Sequence, residues 1–124
     1  MSVPADLLYT AHDEWIRREG DEIVVGITDF AQDQLGELVH VELPAVGATL
    51  AAGAAACEVE SVKAVAEVYT PVSGVVTAVN SGLDGDEGQI NSDPYGSWLF
   101  RLKVSDDSGL AGLLDAAAYE AKIA

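Results

Sequence analysis

Short apolar runs separated by glycine and proline make up most of the chain, and several of them alternate with the two-residue period of a β-strand. We expect strands over residues 15–18, 22–27, 38–43, 57–62, 65–69, 75–79 and 98–104. The first two are joined across Glu19-Gly20-Asp21, a glycine-containing hairpin turn. Many short strands with frequent turns predict an all-β sandwich or barrel.

Two segments interrupt this pattern with helical signals. Thr28 is a candidate N-cap, and Gly36 is a candidate stop, so a short helix is predicted after the early strands. Near the C terminus apolar residues recur at helical spacing, and we expect an amphipathic helix over about residues 109–121. Residues 80–96 contain four glycines, three aspartates and one proline, which predicts a long loop. The length of 124 residues is typical of one domain, here residues 1–124.

Charge narrows the classes of partner. The chain has 21 acidic and 6 basic residues, a formal net charge of −15, which disfavours binding to nucleic acid or to anionic membranes. Residues 1–8 lack the basic and apolar regions of a secretory signal, and no apolar run is long enough to span a membrane. We therefore expect a cytoplasmic protein. Cys57 is the only cysteine, so no disulfide forms within the chain.

One basic residue stands apart from the others. Lys63 is the only base among the 82 residues between Arg18 and Arg101, and it lies at the predicted hairpin tip. Three acidic residues flank it, namely Glu58, Glu60 and Glu67. It is a solvated surface lysine, a Schiff-base lysine, or an amine presented on a rigid turn for acylation. Flanking carboxylates favour the charged ammonium and so argue against the Schiff base.

The residues around this lysine resemble a known family. Residues 58–64, with the sequence EVESVKA, resemble the lipoyl-lysine site of the H protein of the glycine cleavage system. Similar segments follow the family's order along the chain: GITDFAQ at 26–32, VELP at 41–44, PVSG at 71–74 and NSDPYG at 91–96. The resemblance covers about residues 9–119, and it is the combination of these segments in this order that makes it specific.

The resemblance implies a fold and a function. The fold is a mainly β barrel-sandwich hybrid of the lipoyl-domain type, with a short helix after the early strands and a C-terminal helix. Lipoate, joined by an amide to Lys63, is the implied cofactor, and Glu60 is the residue that we expect a lipoylating enzyme to read. Glu14 matches a cleft position and is expected to contact the loaded arm.

It also implies the partners. A pyridoxal-phosphate decarboxylase, the P protein, transfers the aminomethyl group of glycine to the arm, and the aminomethyltransferase, or T protein, receives it. Dihydrolipoyl dehydrogenase, the L protein, then reoxidises the arm. The chain itself is expected to be a non-catalytic carrier, with no catalytic residue and no metal site of its own.

Three positions depart from the family pattern. Asp13 stands where the family usually has a histidine, with His12 before it. His40 stands where an aromatic residue is common, and one residue fewer separates Gly96 from Trp98. We expect these changes to alter the cleft and its partners rather than the lysine, and we expect His40 to be structural and Cys57 to lie in the core.

Other carriers and roles remain as alternatives. A biotin carrier normally has methionine on both sides of its lysine, whereas Val62 and Ala64 stand here. Lipoyl domains of 2-oxo acid dehydrogenases usually belong to long multidomain chains with flexible linkers. An H-like protein that relays lipoate to other lipoyl-dependent enzymes stays open as an alternative function.

Overall fold

The computed structural model describes residues 2–124, which form two antiparallel sheets and three short α-helices. The larger sheet has the strand order β1-β2-β3-β9-β8-β5, and the smaller has the order β4-β6-β7. The strands are β1 (Leu8–Tyr9), β2 (Glu14–Glu19), β3 (Glu22–Ile27), β4 (Leu38–Glu42), β5 (Thr49–Leu50), β6 (Ala55–Ser61), β7 (Val65–Tyr69), β8 (Ser73–Val79) and β9 (Phe100–Asp106). The helices are α1 (Asp29–Leu35), α2 (Gly88–Ser92) and α3 (Ala116–Ile123).

The two sheets enclose one apolar core. Alternating side chains of β2, β3, β8 and β9 point into it from the larger sheet, and those of β4, β6 and β7 enter from the smaller sheet. Cys57 lies in this core, as predicted, and burial raises the pKa of its thiol well above the usual range. The mainly β barrel-sandwich hybrid predicted from the sequence is confirmed.

The larger sheet is also buried on its second face. Trp15 and Val24 point away from the main core and pack in a separate cluster with Tyr9 and Tyr119. The rings of Tyr9 and Tyr119 stack with centroids 4.7 Å apart, which holds α3 against the sheet. Burial on both faces explains why residues 22–27 read as an almost continuous apolar run.

The predicted helix after Thr28 is confirmed in its bounds and its caps. The Thr28 hydroxyl accepts a hydrogen bond from the backbone N–H of Ala31, and α1 ends at Gly36, which has a φ of 81°. The predicted hairpin over residues 57–62 and 65–69 corresponds to β6 and β7. The capping residues and the hairpin pattern depend on contacts between residues close in sequence, and the tertiary structure preserves them.

The long loop predicted over residues 80–96 is more ordered than its composition indicates. It contains a 3₁₀ turn at Ser81–Leu83 and the helix α2. Leu83 and Ile90 are both fully buried in the main core. Because Leu83 and Ile90 are both buried in the same core, they order residues 80–96, a segment whose glycine and aspartate content is typical of an irregular loop.

The C-terminal helix is shorter than the predicted span of residues 109–121. Ser108–Gly112 form a 3₁₀ turn, and α3 begins only after Asp115, whose side chain accepts a hydrogen bond from Ala118 N–H. Between them Leu114 makes an antiparallel bridge with Tyr9, with two backbone hydrogen bonds of 2.8 Å. A residue paired with a strand in this way cannot continue a helix.

Gly26 provides a test of the packing between the sheet and α3. It is the cross-strand partner of Trp15, and a Cβ at position 26 would overlap the Trp15 indole ring. That ring is fully buried and donates a hydrogen bond from Nε1 to the Pro94 carbonyl oxygen over 3.0 Å. We expect Gly26→Ala to lower the free energy of unfolding by about 1–3 kcal/mol, because overpacking displaces the indole.

Urea denaturation followed by tryptophan fluorescence measures this change. The control is Gly88→Ala, since no atom lies within 4 Å of a Cβ built at Gly88. Equal stability of Gly26→Ala and the wild type would contradict the close approach of Trp15.

Candidate functional site

The turn between β6 and β7 is held by the side chain of Ser61. Its Oγ accepts hydrogen bonds from the backbone N–H groups of Lys63 (3.2 Å) and Ala64 (3.0 Å), and its own N–H donates to the Ala64 carbonyl over 2.8 Å. Ser61 is buried, so solvent does not compete for these bonds. The turn is therefore a defined projection of the sheet rather than a mobile loop.

Lys63 protrudes from this turn and is exposed. Its stem lies beside Gly36, where an added Cβ would be 3.5 Å from Lys63 Cε and 3.9 Å from Nζ. The Val62 N–H donates to the Glu37 carbonyl oxygen over 3.3 Å, which ties the tip to the end of α1. Beside Gly36 an open recess of about 420 Å³ is lined by Gln32, Asp33, Gly36, Glu37, Gly88 and Asn91.

Charge pairing separates Lys63 from the other bases. Five of the 6 Lys and Arg residues form ion pairs within residues 2–124, namely Arg17, Arg18, Arg101, Lys103 and Lys122. Lys63 is the one base of this part of the chain whose side chain takes part in none of them. An exposed amine without a carboxylate partner is available to an incoming electrophile.

The acidic residues near the tip occupy the outer face of the smaller sheet. Glu60 pairs across the strands with His40 and Val65, one step from the turn. Glu58 and Glu67 lie opposite each other two pairs further away. Of the three acidic residues that flank Lys63 in the sequence, only Glu60 is thus next to the tip, and the Glu67 carboxylate instead accepts a hydrogen bond from the Tyr69 hydroxyl over 3.1 Å.

Glu14 lies elsewhere, in a cleft at the other end of β7. The cleft has a volume of about 380 Å³ and is lined by Thr10, Ala11, His12, Glu14, Gly53, Tyr69, Thr70, Pro71, Gly112 and Leu113. Glu14 is only 1% exposed. Its Oε1 accepts from the Thr10 hydroxyl over 2.6 Å, and its Oε2 accepts from the Tyr69 backbone N–H over 2.8 Å.

The carboxylate of Glu14 is stabilised mainly by hydrogen-bond donors, with a smaller electrostatic contribution from nearby His12. No ion pair within the described residues includes it. Burial raises its pKa above the usual 4.5, although the hydrogen bonds from Thr10 and Tyr69 act in the opposite direction. A buried acid that lacks a counter-ion and lines a cleft is a candidate ligand for a cationic group.

The departures near the N terminus shape this cleft. Asp13 has a φ of 67°, and its Oδ1 accepts a hydrogen bond from the Tyr119 hydroxyl over 3.0 Å and lies 3.8 Å from Lys122 Nζ. His12 is exposed, and its ring lies against that of Tyr69 with centroids 4.9 Å apart. His12 is thus at the mouth of the cleft, whereas Asp13 faces α3.

Sequence reasoning missed the supporting residues Ser61, Thr10 and Tyr69. Ser61 carried a usable signal, because a serine two residues before a turn residue often accepts backbone N–H groups. Thr10 and Tyr69 carried no such signal, because Tyr69 meets Glu14 only where the two sheets approach each other, and Thr10 meets it through the loop before β2. His40 is exposed on the outer face of the smaller sheet.

Comparisons with known proteins agree along the whole chain. A family model described as "Glycine cleavage H-protein" matches residues 7–124. The glycine cleavage system H protein of Mycobacterium avium (strain 104) is 56% identical over 123 residues, covering 94% of this chain and 93% of the relative. That of Nitratidesulfovibrio vulgaris is 55% identical over 125 residues, covering 100% and 97%. A crystal structure of a glycine cleavage system H protein from Mycobacterium marinum superposes with a TM-score of 0.88 at 39% identity, covering 97% and 98%.

The raised pKa of Glu14 predicts a pH-dependent stability difference. Because folding raises this pKa, the folded chain holds the proton more tightly than the unfolded chain, and stability from this group falls as pH rises above 4.5. Glutamine has no such proton to lose. We therefore expect the unfolding free energy of Glu14→Gln, relative to the wild type, to increase from pH 4.5 towards neutrality and then to level off.

Urea unfolding of both proteins across this pH range measures the difference. The matched control is Glu120→Gln, at an exposed carboxylate on α3. A difference between Glu14→Gln and the wild type that does not vary with pH would contradict the raised pKa.

Proposed function

The chain belongs to the glycine cleavage H-protein family, and on that premise we propose that it is a non-catalytic lipoyl carrier. It carries the aminomethyl group of glycine from the P protein to the T protein, and the L protein reoxidises the arm. The observation that carries this proposal is Lys63, an exposed amine that forms no ion pair within residues 2–124 and lies on a turn held by Ser61.

Lys63 is suited to amide formation with lipoate. Its Nζ is accessible, and the turn presents it at a defined place beside Gly36. In this reaction the deprotonated amine attacks the carbonyl carbon of an activated lipoyl group. A C–N bond forms, the bond to the activating group breaks, and the amine gives up one proton. The structure contributes a rigid base for the arm, and the modifying enzyme supplies the activated acyl group.

When bound, lipoate would supply a dithiolane at the far end of a long arm, and a sulfur of that group would carry the aminomethyl group. The chain's own part is to tether that arm. A tethered group meets each successive partner at a high effective concentration, so no free intermediate has to diffuse between enzymes.

Glu14 is proposed to hold the loaded end of the arm. A carboxylate that forms no ion pair within residues 2–124, accepts one hydrogen bond at each oxygen and is nearly inaccessible to water attracts a cationic amine that enters the cleft. Along the hairpin, Tyr69 is six positions from Lys63, or about 20 Å at the usual rise of a strand. The lysine stem alone is far too short for this distance, so the cleft fits a group carried on an extended arm. Seating there also keeps water from the reactive group.

Replacing Lys63 tests the attachment. We expect Lys63→Arg to fold as the wild type does, because the side chain is exposed, and to gain no lipoyl mass with lipoate and a lipoate ligase. Intact mass and peptide mapping measure the gain, which in the wild type is confined to Lys63. Modification of Lys63→Arg elsewhere in the chain would contradict the assignment.

The same samples separate the two candidate roles. Lipoylated wild type incubated with glycine and purified glycine decarboxylase is expected to gain an aminomethyl group on the arm. A fully lipoylated protein that gains none, while a known H protein does, would contradict the glycine cleavage role and favour the relay of lipoate to other enzymes.

Glu60 is proposed as the residue that the lipoylating enzyme recognises. It lies next to the tip, and Glu58 lies on the same strand face two residues further away, so Glu58→Gln is a control of matched chemistry. We expect Glu60→Gln to lower kcat/KM of lipoylation about tenfold, as the loss of one charge-assisted contact would. Glu58→Gln is expected to change it by less than about twofold. Equal rates for Glu60→Gln and the wild type would rule out this role.

A further inference from the structure

Exposed apolar side chains are unevenly distributed over the molecule. In the part of the chain that the structure describes, the large hydrophobic residues that are clearly exposed are Val39 (46%), Val46 (60%), Val62 (71%), Val65 (57%) and Val75 (38%). Three of them, Val39, Val62 and Val65, surround the turn that bears Lys63. Single exposed apolar residues need no explanation, whereas a group of them around one site does.

The backbone places these three valines close to one another. Val62 is in the turn, and its N–H donates to the Glu37 carbonyl beside the start of β4. Val39 lies in the bulge of β4 between Leu38, which pairs with Ser61, and His40, which pairs with Glu60. Val65 is the other cross-strand partner of Glu60. We call Val39, Val62 and Val65 the tip patch.

Acidic groups border the tip patch. Glu37 is bonded through its carbonyl to Val62, and Glu60 lies between His40 and Val65 in the sheet. The other five Lys and Arg residues are engaged in ion pairs elsewhere and do not offset this charge. A complementary surface therefore has an apolar centre and a basic rim.

We propose that the tip patch is the docking surface for the enzyme that attaches lipoate to Lys63, through an apolar patch of that enzyme bordered by Arg or Lys. This inference rests on the proposed lipoyl carrier function. The enzyme that forms the amide bond has to bring its activated acyl group to Nζ, and Val62 and Val65 lie within two residues of Lys63 along the hairpin. An enzyme that acts on the dithiolane binds the far end of the arm and does not have to approach Lys63 Nζ.

Charge disfavours a second copy of this chain as the occupant. Each copy has a formal net charge of −15 and presents Glu37 and Glu60 beside the same patch, so two copies repel each other there. A basic enzyme surface, by contrast, is attracted to this end of the molecule, and the attraction weakens as salt increases.

The test compares Val62→Ser/Val65→Ser with the wild type and with Val46→Ser. Val46 is as exposed as the patch residues but lies beyond Glu42, at the end of β4 remote from the turn. We expect the double variant to lower kcat/KM of lipoylation about tenfold, the change expected from losing roughly one buried apolar side chain's contact. Val46→Ser is expected to stay within about twofold of the wild type, and all three proteins are expected to have similar melting temperatures, since the side chains are exposed.

A second measurement separates docking from a general defect. After prolonged lipoylation to completion, reduction of the arm by dihydrolipoyl dehydrogenase is expected at equal kcat/KM in all three proteins. Lipoylation of the wild type is also expected to slow with increasing ionic strength. If the double variant is lipoylated at the wild-type rate, or if Val46→Ser lowers that rate equally, the tip patch is not the docking surface. If the lipoylation rate does not change with salt, the lipoylating enzyme has no basic rim that binds this surface. If the wild type is never lipoylated, the carrier function itself is refuted.

Discussion

The buried hydroxyl group of Tyr119 joins three segments that are distant in sequence. It donates to the Asp13 carboxylate, so the Thr28 hydroxyl, 2.7 Å away, is the donor in their shared hydrogen bond. Burial raises the pKa of this phenol, which keeps it protonated and able to donate. Through this one group α3 holds both the N-cap of α1 and the loop that leads into Glu14. The other end of α1 is Gly36, against which the Lys63 stem lies. The surroundings of both candidate site residues therefore depend on the docking of α3.

The two site residues have opposite charges, and both lack ionic partners within the described chain. Lys63 is exposed on a rigid turn, where water solvates its ammonium group, so the absence of an ionic partner costs little free energy. Glu14 is buried, and its charge is stabilised mainly by hydrogen bonds from Thr10 and Tyr69 and less by nearby His12, while burial raises its pKa. A fold selected for stability alone would pair or replace such a carboxylate. Its position in a cleft suits a protein that has to accept a cationic group from outside, as proposed for the loaded arm.

Much of the fold was predictable because its signals are local. The Thr28 cap, the Gly36 stop and the β6–β7 hairpin follow from short-range hydrogen bonding and from the alternation of apolar residues. Prediction failed where long-range contacts decide the conformation. Leu83 and Ile90 enter the core from a segment with the composition of a loop, and the bridge between Leu114 and Tyr9 divides what the apolar spacing presents as one helix. Neither contact has a counterpart at short sequence separation.

The sequence by itself determined that Lys63 is chemically distinctive, since its isolation among acidic residues and its place in a hairpin are properties of the chain order. It also determined the family, through segments whose order and residues are specific. Only the tertiary structure decided which acid lies at the tip and which lies in the cleft, because cross-strand register brings Glu60 to the turn, sets Glu67 opposite Glu58 and aims the Tyr69 N–H at Glu14. The three valines around Lys63 likewise become one surface only when β4 pairs with β6, because side chains more than twenty positions apart in the chain meet through strand pairing alone.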